Sequence, residues 1–257
     1  MTHVRGSTAT HIHASKVPAV TLGFWLVKTL ATTLGETGGD AVTMSMGLGY
    51  LAGTGIFAAL LVVAVSAQIR ATQFNPWLYW FAIIASTTVG TTLADFADRS
   101  LGIGYPGGSV LLLTLLVASL AAWYRSTGSI SVESVTHARS ETFYWITITF
   151  SQTLGTALGD WTADTAGLGY AGGMAIFGGL LTLVAALYFA SSISRTALFW
   201  SAFVLTRPLG AVVGDFLDKP VADGGMALGR YPASCVLLIA IVALIALLPQ
   251  RAAQRRA

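Results

Sequence analysis

The stretch LAGTGIFAALLVVAVSA, residues 51–67, contains no charged side chain. A helix needs about 17 to 25 mostly apolar residues to cross the hydrocarbon core of a bilayer, which is about 30 Å thick. Similar segments recur along the chain, and the predicted spans fall near residues 19–39, 50–67, 77–97, 106–124, 142–163, 171–190, 197–217 and 231–248. Because none of them alternates strictly, as the strands of a barrel would, we predict an all-α integral membrane protein with eight transmembrane helices.

The composition supports this class. Of the 257 residues, 54% are hydrophobic and only 10% are charged, whereas about a quarter of the residues in a soluble domain are charged. Cys235 is the only cysteine, which excludes an intramolecular disulfide and a multi-cysteine metal site within one chain. We find no nucleophile elbow, P-loop or zinc-protease motif. We therefore expect no enzymatic activity, no permanently bound cofactor and no nucleic-acid partner.

A fourfold repeat organises the chain. A tryptophan is followed after ten residues by a glycine and after fifteen by an aspartate, and the pattern occurs at Trp25, Gly35 and Asp40; Trp80, Gly90 and Asp95; Trp145, Gly155 and Asp160; and Trp200, Gly210 and Asp215. A tyrosine follows each of these aspartates, at Tyr50, Tyr105, Tyr170 and Tyr231. Each repeat holds two predicted spans, so successive repeats enter the membrane in the same direction.

A second level of duplication has an offset of 120 residues, since TLGETGGD at 33–40 corresponds to TLGTALGD at 153–160. The predicted organisation is two four-helix halves, residues 19–124 and 142–248, joined by a cytoplasmic linker at 125–141. A polar cytoplasmic tail, residues 1–18, precedes them, and a basic cytoplasmic tail, residues 249–257, follows. The first 18 residues lack the apolar segment of a signal peptide.

The basic residues predict the orientation. Nine of them fall in the tails and in the loops after even-numbered spans, and three fall on the opposite side: Arg99, Lys219 and Arg230. The positive-inside rule therefore places both termini in the cytoplasm. We expect the protein to lie in the cytoplasmic (inner) membrane of a bacterium, with the lipid bilayer as its first partner.

Each repeat supplies a pair of acids three or four residues apart, a spacing that places both on one face of a helix. The pairs are Glu36 and Asp40, Asp95 and Asp98, Asp160 and Asp164, and Asp215 and Asp218. Ionised groups inside a membrane are costly and usually mark an ion or proton path. Carboxylates without sulfur or clustered histidine suit hard cations such as Mn²⁺ or Mg²⁺. We predict Asp40, Asp95, Asp160 and Asp215 as primary metal ligands, completed by Glu36, Asp98, Asp164 and Asp218.

Two basic residues lie inside predicted spans. Lys28 and Arg207 are interpreted as counter-charges for the acids, with gating and anion binding left open. The repeat glycines are expected to allow close helix packing or local unwinding. The repeat tryptophans are expected to anchor the helices at the membrane interface.

These motifs resemble a known family. KTLATTLGETGGD at 28–40, MGLGYLAG at 46–53 and GDFLD at 214–218 are similar to the DUF347 repeats of bacterial membrane-anchored proteins. The likeness covers about residues 20–248 and implies a repeated multi-span protein, but no substrate.

The leading functional hypothesis is a transporter, and more specifically an exporter, of a divalent cation, with proton coupling as one option. Two alternatives stay open: a proton-coupled carrier of a small organic solute, in which Lys28 and Arg207 contact the substrate, and a membrane scaffold or sensor that transports nothing. The sequence leaves a homo-oligomer open as well.

Overall fold

The computed structural model describes residues 15–254, and within that range every long element is a helix. The helices are α1 (Leu22–Asp40), α2 (Tyr50–Arg70), α3 (Pro76–Asp95), α4 (Tyr105–Thr127), α5 (Ala138–Asp160), α6 (Gly169–Ala190), α7 (Arg195–Asp218) and α8 (Arg230–Leu247). Helix α5 begins inside the segment predicted as a linker. Residues 1–14 and 255–257 of the two predicted tails lie outside the described residues.

Local capping determines where three of the odd-numbered helices begin. The side chain of Thr21 accepts a hydrogen bond from the backbone NH of Phe24, and Asn75 does the same for Leu78. Ser194 caps α7 in the same way. Such caps satisfy backbone donors that have no partner within the helix, and they explain why the helices begin at these residues.

Helices α1, α3 and α5 all end in the same way. One π-helical turn follows each of them, at Ala41–Ser45, Phe96–Ser100 and Trp161–Thr165. Glycines with positive φ then reverse the chain into the next helix, for example Gly47 and Gly49, because side-chain-bearing residues rarely adopt that conformation. The fourth repeat differs, since α7 continues to Asp218 and is followed by a short 3₁₀ turn, Val221–Asp223.

The odd-numbered helices form a closed inner ring in the order α1, α3, α5, α7, with α7 packed against α1. Each even-numbered helix packs mainly on the inner helix of the following repeat: α2 on α3, α4 on α5, α6 on α7, and α8 on α1. A repeat is therefore not a self-contained hairpin. The ring continues without a break across the boundary between the two predicted halves.

The repeat glycines lie where neighbouring inner helices cross. A Cβ added to Gly90 of α3 would lie 2.8 Å from the backbone carbonyl carbon of Gln152 in α5. A Cβ added to Gly35, Gly155 or Gly210 would likewise collide with the neighbouring inner helix. The residues that it would contact are Thr87, Arg207 and Thr32, respectively. All four glycines lie within regular helix, so they permit close packing, as predicted, and the predicted local unwinding at these positions is wrong.

Six of the eight helices in the described range are long and apolar enough to cross a membrane: α2, α3 with its π turn, α4, α6, α7 and α8. Most of α2 and α6 faces outward, and exposed large hydrophobic side chains lie along both helices. The chain is therefore a helical membrane protein whose outer helices suit contact with lipid. Helices α1 and α5 carry more polar side chains, so the count of eight spans stays a prediction.

Aromatic side chains close the end of the ring opposite the π turns. Trp80, Trp145 and Trp200 are buried there, and the hydroxyls of Tyr79 and Tyr144 are 2.6 Å apart. The prediction that the tryptophans anchor the helices at the lipid interface is wrong for these three, because their rings are buried in a cluster of aromatic and aliphatic side chains inside the protein. This end of the ring is a solid aromatic plug.

Candidate cation site

Three carboxylates from three inner helices converge near the π turns. Glu36 of α1, Asp160 of α5 and Asp215 of α7 each place one oxygen within 4.8 Å of the others, and all three residues are buried. Among the described residues, this is the cluster of acids that meets the distance requirement for holding a metal ion. We refer to Glu36, Asp160 and Asp215 as the carboxylate triad.

The triad contains only two of the four predicted primary ligands. Glu36, which the sequence assigned to the completing shell, takes the third position. Asp40 and Asp95 are also buried at this end of the ring and, like the members of the triad, pair with basic residues, but they are not part of the cluster whose oxygens lie within 4.8 Å of one another. The acids thus divide into a triad and two flanking aspartates.

Arg99 and Lys219 bridge neighbouring repeats. Nε of Arg99 lies 2.9 Å from Asp95 of its own repeat, and its Nη2 lies 3.5 Å from Asp160 of the next. Nζ of Lys219 lies 3.2 Å from Asp215 of its own repeat and 3.0 Å from Asp40. Each base therefore joins the aspartates of two adjacent inner helices.

Sequence reasoning missed Arg99 and Lys219 as site residues, although a signal was present. The two positions differ by 120 residues, the offset that relates the two halves. The side of the membrane on which they lie was predicted from the basic residues. Their ion pairs with the aspartates were not, because these pairs depend on the order in which the inner helices close the ring. The aspartates that they neutralise come from different repeats.

The position of Lys219, just beyond the end of α7, favours its charged form. Burial alone would lower the pKa of its ammonium, but the nearby carboxylates of Asp215, Asp40 and Asp218 outweigh that effect and raise the pKa above its ordinary value. Lys219 therefore stays protonated at neutral pH and acts as a fixed positive charge beside the triad.

Arg207 lies at the centre of the ring, about two helical turns before Asp215 on α7. Its Nη2 donates to Glu36 Oε2 at 2.9 Å and to Thr91 Oγ1 at 2.6 Å, and it also contacts Thr156 Oγ1. From α7, the guanidinium thus reaches all three other inner helices. The side chain is fully buried. Gly155 makes room for it, since a Cβ there would collide with the stem of Arg207.

The charges at this end of the ring do not balance. Six buried carboxylates, Glu36, Asp98 and the four repeat aspartates, face three cations that pair with members of this set: Arg99, Arg207 and Lys219. Arg230 bonds to Asp218 at 3.0 Å, so this pair adds no net charge. With every carboxylate ionised, three negative charges are left over, an excess that a bound cation or protons would reduce.

The other predicted site residues lie apart from the triad. Asp98 packs against Gly108 of α4, Asp218 pairs with Arg230, and Asp164 is exposed. Lys28 is buried two turns deeper than Glu36, and no carboxylate of residues 15–254 lies within 4.0 Å of its amine. The eight predicted acids therefore do not form one cluster, and the interpretation of Lys28 as a directly paired counter-charge finds no partner in that range.

The start of each outer helix brings a polar group to the aspartate of the following repeat. Tyr50 lies near Asp95, where it also interacts with Arg99. Tyr105 lies near Asp160, and Tyr170 near Asp215. In the fourth repeat, the insertion displaces the tyrosine, and Arg230 approaches Asp40 instead, at 3.6 Å. The rim of the site is thus built by the start of every outer helix, with a tyrosine in three repeats and Arg230 in the fourth.

The same fourfold pattern is recognised in known sequences. Residues 23–74, 78–129, 143–194 and 198–251 each match the repeat of unknown function DUF347. The chain belongs to the DUF347 repeat family. Each DUF347 match holds one inner helix and the outer helix after it, so the resemblance predicted from the sequence is confirmed. Comparisons with curated proteins and with solved structures gave no match.

Proposed function

We propose that this DUF347 protein is a transporter of a divalent cation such as Mn²⁺ or Mg²⁺, with Glu36, Asp160 and Asp215 as ligands. One observation carries the proposal: three buried carboxylates from three separate helices converge within 4.8 Å, and the buried carboxylates of this end outnumber the bases that pair with them. Carboxylate oxygens are preferred ligands of hard cations, which explains why such an arrangement would persist in a membrane bundle.

The position of the triad favours transport over a fixed structural ion. Each ligand comes from a different helix of the ring, so small shifts between helices would change the distances among the three oxygens. The plug formed by Tyr79, Tyr144 and the tryptophans lies on the far side of Arg207 from the triad. In the proposed cycle, an ion would reach the triad from the π-turn end, which is the nearer end of the ring, while the plug closes the opposite end, as alternating access requires of one of its two states.

We further propose that all eight helices cross the membrane. Helices α1 and α5 lie between α3 and α7 in the same ring, and with its π turn α1 extends from Leu22 to Ser45, or roughly 36 Å at 1.5 Å per residue. Most of their polar side chains are buried inside the bundle rather than exposed toward lipid. With cytoplasmic termini in a bacterial inner membrane, the triad would face the external side, and export is the proposed direction.

Binding of the ion provides the first test. Isothermal titration of Mn²⁺ and Mg²⁺ into the purified protein should give a saturable site, and Asp160→Asn should abolish it or weaken it at least about a hundredfold, because it removes one of three charged ligands. Asp164→Asn is the matched control: it changes an exposed aspartate four residues further on and should leave the affinity unchanged.

Transport provides the second test. Cells that express the protein should hold less of one divalent metal than cells that express Asp160→Asn/Asp215→Asn, with equal amounts of folded protein in the membrane. Unchanged metal content with intact folding would point to the organic-solute carrier. Loss of all four repeat aspartates without any functional effect would contradict both kinds of transporter and leave the scaffold.

A further inference from the structure

Lys28 is a basic residue in the centre of the ring, and no acidic side chain of the described residues lies next to it. It lies on α1 eight residues before Glu36, or roughly 12 Å along the helix, and its side chain is fully buried. The equivalent residues of the other repeats are Ile83, Ile148 and Phe203. One repeat of four has therefore placed an amine in a layer that is otherwise apolar, at a considerable cost in desolvation.

The contacts of the amine are few. Nζ donates to Thr206 Oγ1 at 3.3 Å and lies 4.1 Å from the ring centroid of Phe203. A structural lysine in a membrane bundle would normally pair with a carboxylate. Across residues 15–254, no carboxylate lies within 4.0 Å of this nitrogen.

The surroundings of Lys28 contain one other charged group. Arg207 faces it from α7. Helices α3 and α5 contribute Ile83 and Ile148 to this layer, and their nearest titratable groups are the paired hydroxyls of Tyr79 and Tyr144, one turn toward the plug. On α8, the titratable residues are Arg230, Tyr231 and Cys235, in the turns at the opposite end. Lys28 thus lies between the triad and the plug.

We propose that Lys28 is the proton-carrying residue that couples proton movement to occupancy of the carboxylate triad. This inference rests on the proposed function. A cation on the triad and a proton on Lys28 are two positive charges on one axis in a medium of low dielectric constant, so each disfavours the other. When the cation binds, an N–H bond of the ammonium breaks, the electron pair stays on Nζ, and the proton leaves to water.

The coupling is reciprocal, because it is a property of the two charges together. A proton that binds Lys28 lowers the affinity for the cation by the same factor by which the cation disfavours the proton. At roughly 12 Å and an effective dielectric constant of about 20, a divalent cation and a unit charge give a factor of roughly a hundred. Such a factor is large enough to drive exchange of a cation for a proton.

Calorimetry on the full-length protein tests the role directly. Mn²⁺ binding is titrated in two buffers of different ionisation enthalpy from pH 6 to 9, which gives the number of protons released per bound ion. The carboxylates release protons in every variant, so the contribution of Lys28 is the difference between wild type and a non-titrating substitution. Two substitutions are compared: Lys28→Met, which is always neutral, and Lys28→Arg, which is always charged.

We expect both variants to release fewer protons than wild type within this pH range, by up to one per ion. Their affinities should differ in opposite directions, with Lys28→Met binding Mn²⁺ more tightly than Lys28→Arg by roughly a hundredfold. A purely structural lysine would not give this pair of results. Release curves of wild type and Lys28→Met that superimpose would overturn the inference and leave the cation site intact. Absence of Mn²⁺ binding in wild type would instead overturn the proposed function.

Discussion

Nη2 of Arg207 lies 2.9 Å from Oε2 of Glu36, and neither side chain is more than 4% exposed. The pair is built from two departures from the repeat. Where α7 has Arg207, the equivalent residues are Thr32, Thr87 and Gln152, and where α1 has Glu36, they are Thr91, Thr156 and Ala211. Two neighbouring layers that are mostly threonine in the other repeats thus hold one cation and one anion, which meet at the centre of the ring.

Arg207→Met should destabilise the protein in the absence of metal. Removing one partner of a buried ion pair leaves the other charge uncompensated, which typically costs about 3 to 5 kcal/mol. A bound divalent cation would supply the missing positive charge, so saturating Mn²⁺ should recover most of the loss. Thermal unfolding followed by intrinsic tryptophan fluorescence, with a chelator and with Mn²⁺, measures both effects.

The control for Arg207→Met is Arg125→Met, which removes an exposed arginine near the end of α4 and should change stability by no more than about 0.5 kcal/mol. The double variant Glu36→Gln/Arg207→Met removes both charges and should be more stable than Arg207→Met in the chelator. If the two are equally unstable, the loss comes from packing rather than from the uncompensated carboxylate.

Lys219→Met should increase the affinity for a divalent cation. Lys219 bridges Asp215 of the triad and Asp40, and its removal adds one uncompensated negative charge at the site. Because Nζ of Lys219 lies only 3.2 Å from an oxygen of Asp215, removal of its charge predicts an affinity that is higher by at least roughly tenfold, and the increase should be smallest at high salt. Isothermal titration at two ionic strengths measures it.

Lys219→Arg keeps the charge and serves as the control, with an affinity close to that of wild type. Arg99→Met, the change at the corresponding position of the other half, should act in the same direction as Lys219→Met. A loss of affinity in either Met variant would indicate that the base positions a ligand and does not compete with the cation for it.

Much of the fold was accessible from the sequence, because hydrophobic length and the repeat are both read along the chain. The eight helices, the fourfold period and the clustering of acids at one end followed from spacing alone. The pairing of helices did not follow. That each outer helix packs on the next repeat, and that Arg99 joins Asp95 to Asp160, depends on how the ring closes.

The sequence predicted the kind of candidate site, a cluster of carboxylates, better than it predicted which residues form it. Asp164 occupies the same position in its repeat as Arg99 and Lys219 do in theirs, yet it is exposed and unlike them in charge, so a rule based on the repeat misassigns it. Glu36 was not predicted as a primary ligand because its position is not acidic in the other repeats: two of them carry threonine there. The candidate site thus combines one position that all four repeats share, which provides Asp160 and Asp215, with one position where the repeats differ, which provides Glu36.

Gly90→Ala should disrupt the ring. A Cβ at this position would lie 2.8 Å from backbone carbon in α5, which cannot move aside as a flexible side chain could. Overpacking of this kind costs roughly 1 to 3 kcal/mol, and a rigid backbone contact favours the upper part of that range. The thermal unfolding midpoint should fall accordingly.

Gly55→Ala is the matched control for Gly90→Ala. It lies within α2, where nothing comes within 4 Å of the added Cβ, and the higher helix propensity of alanine should stabilise the protein slightly or leave it unchanged. Equal destabilisation by both substitutions would contradict the assignment of Gly90 to a close helix crossing.

The two polar inner helices should cross the membrane although their composition alone does not require it. In a Cys235→Ala background, single cysteines at Val20 and Met46 flank α1, and cysteines at Glu133 and Ala166 flank α5; all four positions are exposed. If α1 and α5 span the bilayer, an impermeant maleimide added outside intact cells should label Met46→Cys and Ala166→Cys but not Val20→Cys and Glu133→Cys until the membrane is opened. The reason is the closed ring, in which α1 and α5 separate α3 from α7 and have comparable length. Labelling of both members of a pair from the same side would remove that helix from the span count, and with it the proposed depth of Glu36 or Asp160.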